Sequence, residues 1–146
     1  MSVDDAIPYS EFLGNEAPFM DYVGLKTYEG EDGVRRMVMK LEHRHLNVAL
    51  STHGGVIMTL LDVAMASVCR LQVAAHRPCV TVEMKASFLR PGGSAGEYIE
   101  ARGIVRHITK SLAFCDGELR GENGDLLATA SGTFKYLSQA LTANDG

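Results

Sequence analysis

The feature that most constrains this chain is one long helical stretch with an acid in its middle. Between His53 and Val73 the residues Val56, Ile57, Leu60, Leu61, Ala64, Met65, Val68 and Leu71 recur three and four apart, the spacing of a helix of about five turns. Its surface is apolar nearly all round, so it must be buried on most sides. One narrow stripe departs from this: Gly55, Thr59, Asp62, Ala66 and Arg70 are small or polar. No other segment has this length and period, so the rest of the chain must pack around it.

What remains reads as β-structure behind a short cap. From Pro8 to Tyr22, Phe12, Leu13, Phe19 and Met20 stand at roughly helical spacing, interrupted by Gly14 and Pro18, which predicts one or two short helical turns. Leu25 to Tyr28 and Val34 to Leu41 flank the turn-forming segment from Glu29 to Gly33 and read as a hairpin. After the helix, Val80 to Phe88 alternates. Val80, Val82, Met84, Ala86 and Phe88 are expected on one face, with Thr81, Glu83, Lys85 and Ser87 on the other. That strand stops at Pro91-Gly92-Gly93. Glu97 to His107, Leu112 to Arg120 and Leu126 to Tyr136 supply three more, the last two joined across Asn123-Gly124, a favoured hairpin turn pair. The polar tail from Ser138 to Gly146 is read as frayed. The fold class is therefore α+β, a curved antiparallel sheet wrapped around one long central helix.

With 146 residues and neither a repeat nor a linker, the chain is expected to form a single domain over 1–146, its core running from about 22 to 137. The composition, 46% hydrophobic and 22% charged, is that of an ordinary soluble globular protein. A net charge of −4 lacks the attraction that nucleic acid or an anionic membrane surface requires. No apolar run approaches the roughly 20 residues of a bilayer span, and the acidic start from Met1 to Asp5 is unlike a secretory signal. A cytoplasmic protein is expected. Cys69, Cys79 and Cys115 are odd in number and show no Cys-x-x-Cys spacing, so they are read as reduced packing residues.

Two features carry chemistry. A Gly54-Gly55 pair opening the helix leaves backbone N–H groups unobstructed at the positive end of the helix dipole, a place where an oxyanion is stabilised. The same pair also serves a tight turn into a helix. Asp62 interrupts an apolar run, and an unpaired buried carboxylate is pushed toward the pKa that a general base needs. The alternative is a carboxylate that pairs across an interface with Arg70 or Thr59. Gly54 and Asp62 are eight residues apart, about 12 Å along the axis at 1.5 Å per residue. One carbonyl carbon cannot lie near both, so if both act on one substrate the acid comes from a second copy of the chain.

The segment from His45 to Asp62 is specific enough to name a family. Asn47, His53, Gly54, Gly55 and Asp62 match, in identity and spacing, the motif of hot-dog-fold acyl-CoA thioesterases of the phenylacetate-pathway type, and the chain resembles that family from about Tyr22 to Tyr136. The turn Phe88-Leu89-Arg90-Pro91-Gly92 fits as well. The resemblance implies paired subunits with two composite sites, hence a dimer at least and a homotetramer built as a dimer of dimers. It further implies that Asn47 orients the carbonyl or the attacking water and that Thr81 stands where relatives carry a water-positioning hydroxyl. Left to themselves, Asn47 reads equally as a turn residue, Thr81 as an ordinary strand threonine, and His53 as either a helix-terminal residue or a group holding the thioester.

The substrate would be an acyl-CoA, with coenzyme A part of it and no separate cofactor. Its phosphates would call for basic residues, and Arg90, Arg106 and Lys110 are the candidates, each also explained as a solvated strand-end charge. Met58, Leu61, Met65, Phe88 and the Pro8 to Tyr22 cap are candidates for lining the acyl pocket. His43 and His45 would share one side of a strand, a weak zinc pattern without further ligands, and no metal is expected. Two other classes stay open: a hot-dog hydratase or dehydratase of acyl thioesters, and a non-catalytic acyl-CoA sensor.

Overall fold

The computed structural model describes residues 1–73 and 76–138. Most of the tail read as frayed, from residue 139, lies outside them. In chain order the elements are β1 (Ile7–Pro8), α1 (Tyr9–Leu13), α2 (Pro18–Val23), β2 (Lys26–Glu29), β3 (Arg35–Lys40), α3 (Gly54–Leu71), β4 (Cys79–Phe88), β5 (Tyr98–Ile108), β6 (Leu112–Gly121) and β7 (Leu126–Tyr136). The expected elements are all present. The two-residue β1, too short for a periodicity to register, was not foreseen.

The strands form one antiparallel sheet in the order β1-β2-β3-β5-β6-β7-β4. Helix α3 touches β3, β4, β5, β6 and β7, which requires the sheet to curve around it. Ile57, Leu60, Leu61, Val63, Ala64 and Met65 are buried in that contact. The approach is closest at β5. A Cβ on Gly103 would stand 2.6 Å from the Ala64 carbonyl oxygen and 3.0 Å from the Met65 Cα, so only glycine lets backbone meet backbone here. By length and mean hydropathy, 1.6 over 18 residues, α3 is long and apolar enough to cross a membrane, although Thr59, Asp62 and Arg70 break it into shorter apolar runs. Of that span 44% is buried, the buried residues including Ile57, Leu60, Leu61 and Met65.

Three expectations need correction. The alternation of β4 is broken by a bulge at Val82, because Thr81 pairs with Phe134 while Glu83 pairs with the next residue back, Thr133. Phe134 is buried and faces α3, so Thr81 shares the inner face with Met84, Ala86 and Phe88, and Val80 is turned outward, 47% exposed. Second, Cys69 and Cys115 are joined by a disulfide, leaving Cys79 as the free thiol. The first lies on the buried face of α3 and the other on the inner face of β6, a proximity that a sequence separation of 46 conceals. Third, His43–His45 is a 3₁₀ turn and not a strand. His45 is buried with both ring nitrogens engaged, Nδ1 accepting from the Glu42 N–H at 2.9 Å and Nε2 bonded to the Val23 carbonyl at 2.7 Å.

Candidate active site

At the start of α3 the two glycines are not equivalent. His53 is the N-cap, with extended backbone, and its Nδ1 accepts the Gly55 N–H at 2.8 Å. The Gly55 amide is therefore engaged, and the expectation that either glycine could offer a donor narrows to Gly54. Among the described residues the Gly54 N–H has no hydrogen-bond acceptor. It adjoins a cavity of about 390 Å³ lined by Gly54, Asn47, Ser51, Thr52, Phe88 and Leu89, among others. Nδ1 being an acceptor, the neutral His53 ring carries its proton on Nε2.

Asn47 holds its own loop. Its Oδ1 accepts from the N–H groups of Ala49 at 2.9 Å and Ser51 at 3.2 Å, while Nδ2 donates to the Ser51 Oγ at 3.3 Å. These bonds keep Leu50 in the left-handed region at φ 59°, which a branched side chain seldom adopts unaided. The opposite wall is tied on by Thr52, whose N–H and Oγ1 both reach the Gly93 carbonyl, at 3.1 and 2.8 Å. Gly92 packs so tightly there that a Cβ would lie 2.5 Å from the Thr52 Cβ. Thr52 and Gly92 were not singled out from the sequence, although Pro91-Gly92-Gly93 was legible as a turn.

Asp62 lies farther along α3. It is only partly buried, correcting the expectation of a carboxylate enclosed by its apolar neighbours: it occupies the stripe that the sheet leaves uncovered. Within the chain it pairs with neither Arg70 nor Thr59. The Thr59 hydroxyl donates back to the Gly55 carbonyl at 2.8 Å, and Arg70 Nε donates to the His76 carbonyl at 3.3 Å. Instead the Thr81 hydroxyl, turned inward ahead of the bulge, donates to Asp62 Oδ1 at 2.6 Å. Nearby, burial and then the Asp62 charge push the Cys79 thiol up to about 11. Asp62 does not line the cavity at Gly54.

The other candidates are dispersed. Phe88, half-exposed, lines the cavity beside Gly54, whose notional Cβ would be 3.8 Å from the ring. Met58 is partly buried, while Leu61 and Met65 are sealed into the core and line no open site. No residue of the Pro8 to Tyr22 cap lines the cavity. Among the basic residues only Arg90 does, 3.4 Å from Asp125. Arg106 is on the outer face of the sheet, bonded to Asp116 at 2.5 Å, and Lys110 is exposed in the β5–β6 turn, its carbonyl accepting from Arg77 at 3.0 Å. Among the described residues no three His, Cys, Asp or Glu side chains converge as metal ligands.

A sheet curled around one helix, with an unpaired amide where the helix opens and a carboxylate on its uncovered stripe, defines a hot-dog-fold enzyme. The chain belongs to the thioesterase superfamily, whose sequence pattern it matches over residues 51–128. It is similar to the acyl-coenzyme A thioesterase PaaI of Escherichia coli, 29% identical over 121 residues that make up 82% of this chain and 83% of that one. A putative esterase of Pseudomonas aeruginosa is 28% identical over 125 residues, 84% of this chain and 90% of that protein. Among solved structures, the E. coli PaaI protein from the phenylacetic acid degradation operon superposes with a TM-score of 0.78 at 26% identity, covering 92% of this chain and 94% of its own. A Bacillus halodurans protein solved with CoA has a TM-score of 0.80 at 23% identity, over 90% of this chain and 85% of that one, a likeness of fold.

Proposed function

We propose that this chain, working as a single domain, is a cytoplasmic acyl-CoA thioesterase that hydrolyses a small or medium acyl-CoA, aromatic acyl groups included, to the free acid and CoA. The observation that carries the reading is the Asp62 carboxylate, held through one oxygen by Thr81 on the stripe that the sheet leaves uncovered. The similarity to the E. coli acyl-coenzyme A thioesterase supports the choice of substrate.

In this reading the thioester carbonyl accepts from the Gly54 N–H at the positive end of α3, which draws electron density from the carbonyl carbon. Asp62 acts through Oδ2, the oxygen that Thr81 leaves free. As a general base it takes a proton from water while the hydroxide attacks; the tetrahedral intermediate then expels CoA thiolate, which regains that proton. As a nucleophile it attacks the carbonyl carbon and expels CoA thiolate, forming a mixed anhydride that water cleaves to the free acid and the regenerated Asp62 carboxylate, one released proton passing to the thiolate. Incorporation of labelled water oxygen into Asp62 in a single turnover distinguishes the two. Asn47 and His53 are assigned to the mouth of the site, His53 through its Nε2–H. Arg90 is the basic residue best placed for CoA, with Arg106 and Lys110 assigned to a partner's site.

Gly54 and Asp62 are about 12 Å apart along α3, so the reading requires the acid from a second copy whose α3 runs antiparallel beside the first. The small and partly exposed residues Gly55, Thr59 and Ala66 favour such an approach, and a dimer of dimers is the assembly proposed. The test is free-thiol release from a panel of aromatic and aliphatic acyl-CoAs by the wild type and Asp62→Asn. Turnover by the wild type with most of kcat lost in an intact Asp62→Asn oligomer supports hydrolysis. CoA-ester binding without thiol release by either protein rules it out in favour of a sensor.

A further inference from the structure

The Asn47 amide has only one possible orientation. One of its atoms faces the backbone N–H groups of Ala49 and Ser51, which an NH₂ group could not accept, so that atom is Oδ1 and Nδ2 is the one turned to the Ser51 side chain. In the 3.3 Å contact between them Nδ2 therefore donates and the Ser51 Oγ accepts. A hydroxyl oxygen that accepts there must turn its own hydrogen elsewhere, and among the described residues that hydrogen has no acceptor. The Ser51 backbone is fixed as well, its N–H on Asn47 Oδ1 and its carbonyl accepting the Asn47 N–H at 2.7 Å. Ser51 is half-buried and borders the same cavity as Gly54, whose N–H is likewise unspent. The adjacent Thr52 hydroxyl, by contrast, is spent on the Gly93 carbonyl at 2.8 Å.

We propose that Ser51 is a catalytic residue, its hydroxyl the second donor to the thioester oxygen beside the Gly54 N–H. The inference rests on the reading that a thioester carbonyl docks at Gly54. As water or a carboxylate adds to the carbonyl carbon, its oxygen gains a lone pair and a negative charge that one N–H leaves underpaired, so a second donor counts most in the transition state. The Ser51 hydrogen stays on its oxygen throughout, and no bond is made or broken at this residue. The hydroxyl is held ready by Asn47, which spares the reaction the cost of orienting it.

The test reads the carbonyl directly. Hexanoyl-CoA carrying a heavy carbon isotope at its carbonyl is bound to the full-length Asp62→Asn protein, and the carbonyl stretch is followed by isotope-edited infrared difference spectroscopy. Binding should lower the frequency below that of the free thioester. Adding Ser51→Ala should return part of that shift, and adding Ser51→Thr, which keeps a hydroxyl, should preserve it. With Asp62 intact, Ser51→Ala should lower kcat about 10- to 100-fold with KM within about twofold, and Ser51→Thr should recover most of the loss. S-hexyl-CoA, a thioether with the CoA arm and no carbonyl, should bind wild type and Ser51→Ala equally well by calorimetry. The proposal is overturned if Ser51→Ala leaves the carbonyl frequency where it was. It is also overturned if S-hexyl-CoA affinity falls as far as kcat does, since the hydroxyl then serves the CoA arm or only props its loop. A shift that survives Ser51→Ala removes Ser51 alone, whereas no shift on binding removes the docking at Gly54 and this proposal with it.

Discussion

Thr81 and Asp62, 19 residues apart, are joined by a 2.6 Å hydrogen bond from the threonine hydroxyl to one carboxylate oxygen. The contact depends on the bulge at Val82, which lets Thr81 face the helix while Glu83, two residues on, faces away to accept from the Thr133 hydroxyl at 2.8 Å. A carboxylate fixed through one oxygen presents the other in a set direction.

Removing that hydroxyl should therefore misdirect the acid without abolishing it. Thr81→Val is expected to lower kcat about tenfold with KM little changed, and Thr81→Ser to restore most of the loss. Asp62→Asn should cost about 10² to 10⁴. Steady-state thiol release on the three variants checks this; a Thr81→Val rate equal to wild type would separate Thr81 from the reaction.

Gly54 permits a substitution that removes its N–H with little other change. Proline is tolerated at the first helical position, and His53, at φ −62° and ψ 138°, already has the extended backbone that a following proline demands. Gly54→Pro should lose about 10² to 10³ in rate while staying folded. Mixed and reassociated with Asp62→Asn, it should recover about a quarter of wild-type activity, because half of randomly paired dimers carry one intact composite site. Lack of recovery in verified heterodimers would place the whole site within one subunit.

The close approach of α3 to β5 is a stability prediction. Gly103→Ala puts a methyl group 2.6 Å from the Ala64 carbonyl oxygen and from a Val68 methyl, and neither backbone can withdraw without moving the sheet. Overpacking of this kind should cost about 1 to 3 kcal/mol in urea denaturation. A neutral result would mean that the helix can lift off the strand.

Cys79 should be unreactive. With its thiol pushed up to about 11 from 9.0 by burial and by Asp62, the thiolate fraction near neutral pH is about 100-fold below that of an exposed thiol. Alkylation by iodoacetamide should slow by at least that factor. The sign for stability follows. The folded state holds the proton more tightly than the unfolded one, so the contribution is complete below pH 9 and is lost as pH rises toward 11. Cys79→Ser should flatten that part of the pH–stability curve.

The sequence by itself determined the elements and the motif. Helix α3, the hairpin before it and the four strands after it were legible because apolar periods of 3.6 and two residues are local properties, and Gly54 and Asp62 stood out against the periods they interrupt. Tertiary structure alone decided which way side chains face and what they reach. Thr81 and Val80 exchanged faces because a bulge is set by pairing with β7, not by the residues of β4. Gly55 lost its amide to His53, Asp62 gained the Thr81 hydroxyl, and Cys69 met Cys115, all through proximities that folding creates. Arg90 stayed at the cavity while Arg106 and Lys110 went elsewhere, since Arg90 follows the end of β4, Arg106 lies on the outer face of β5 and Lys110 in the turn after it.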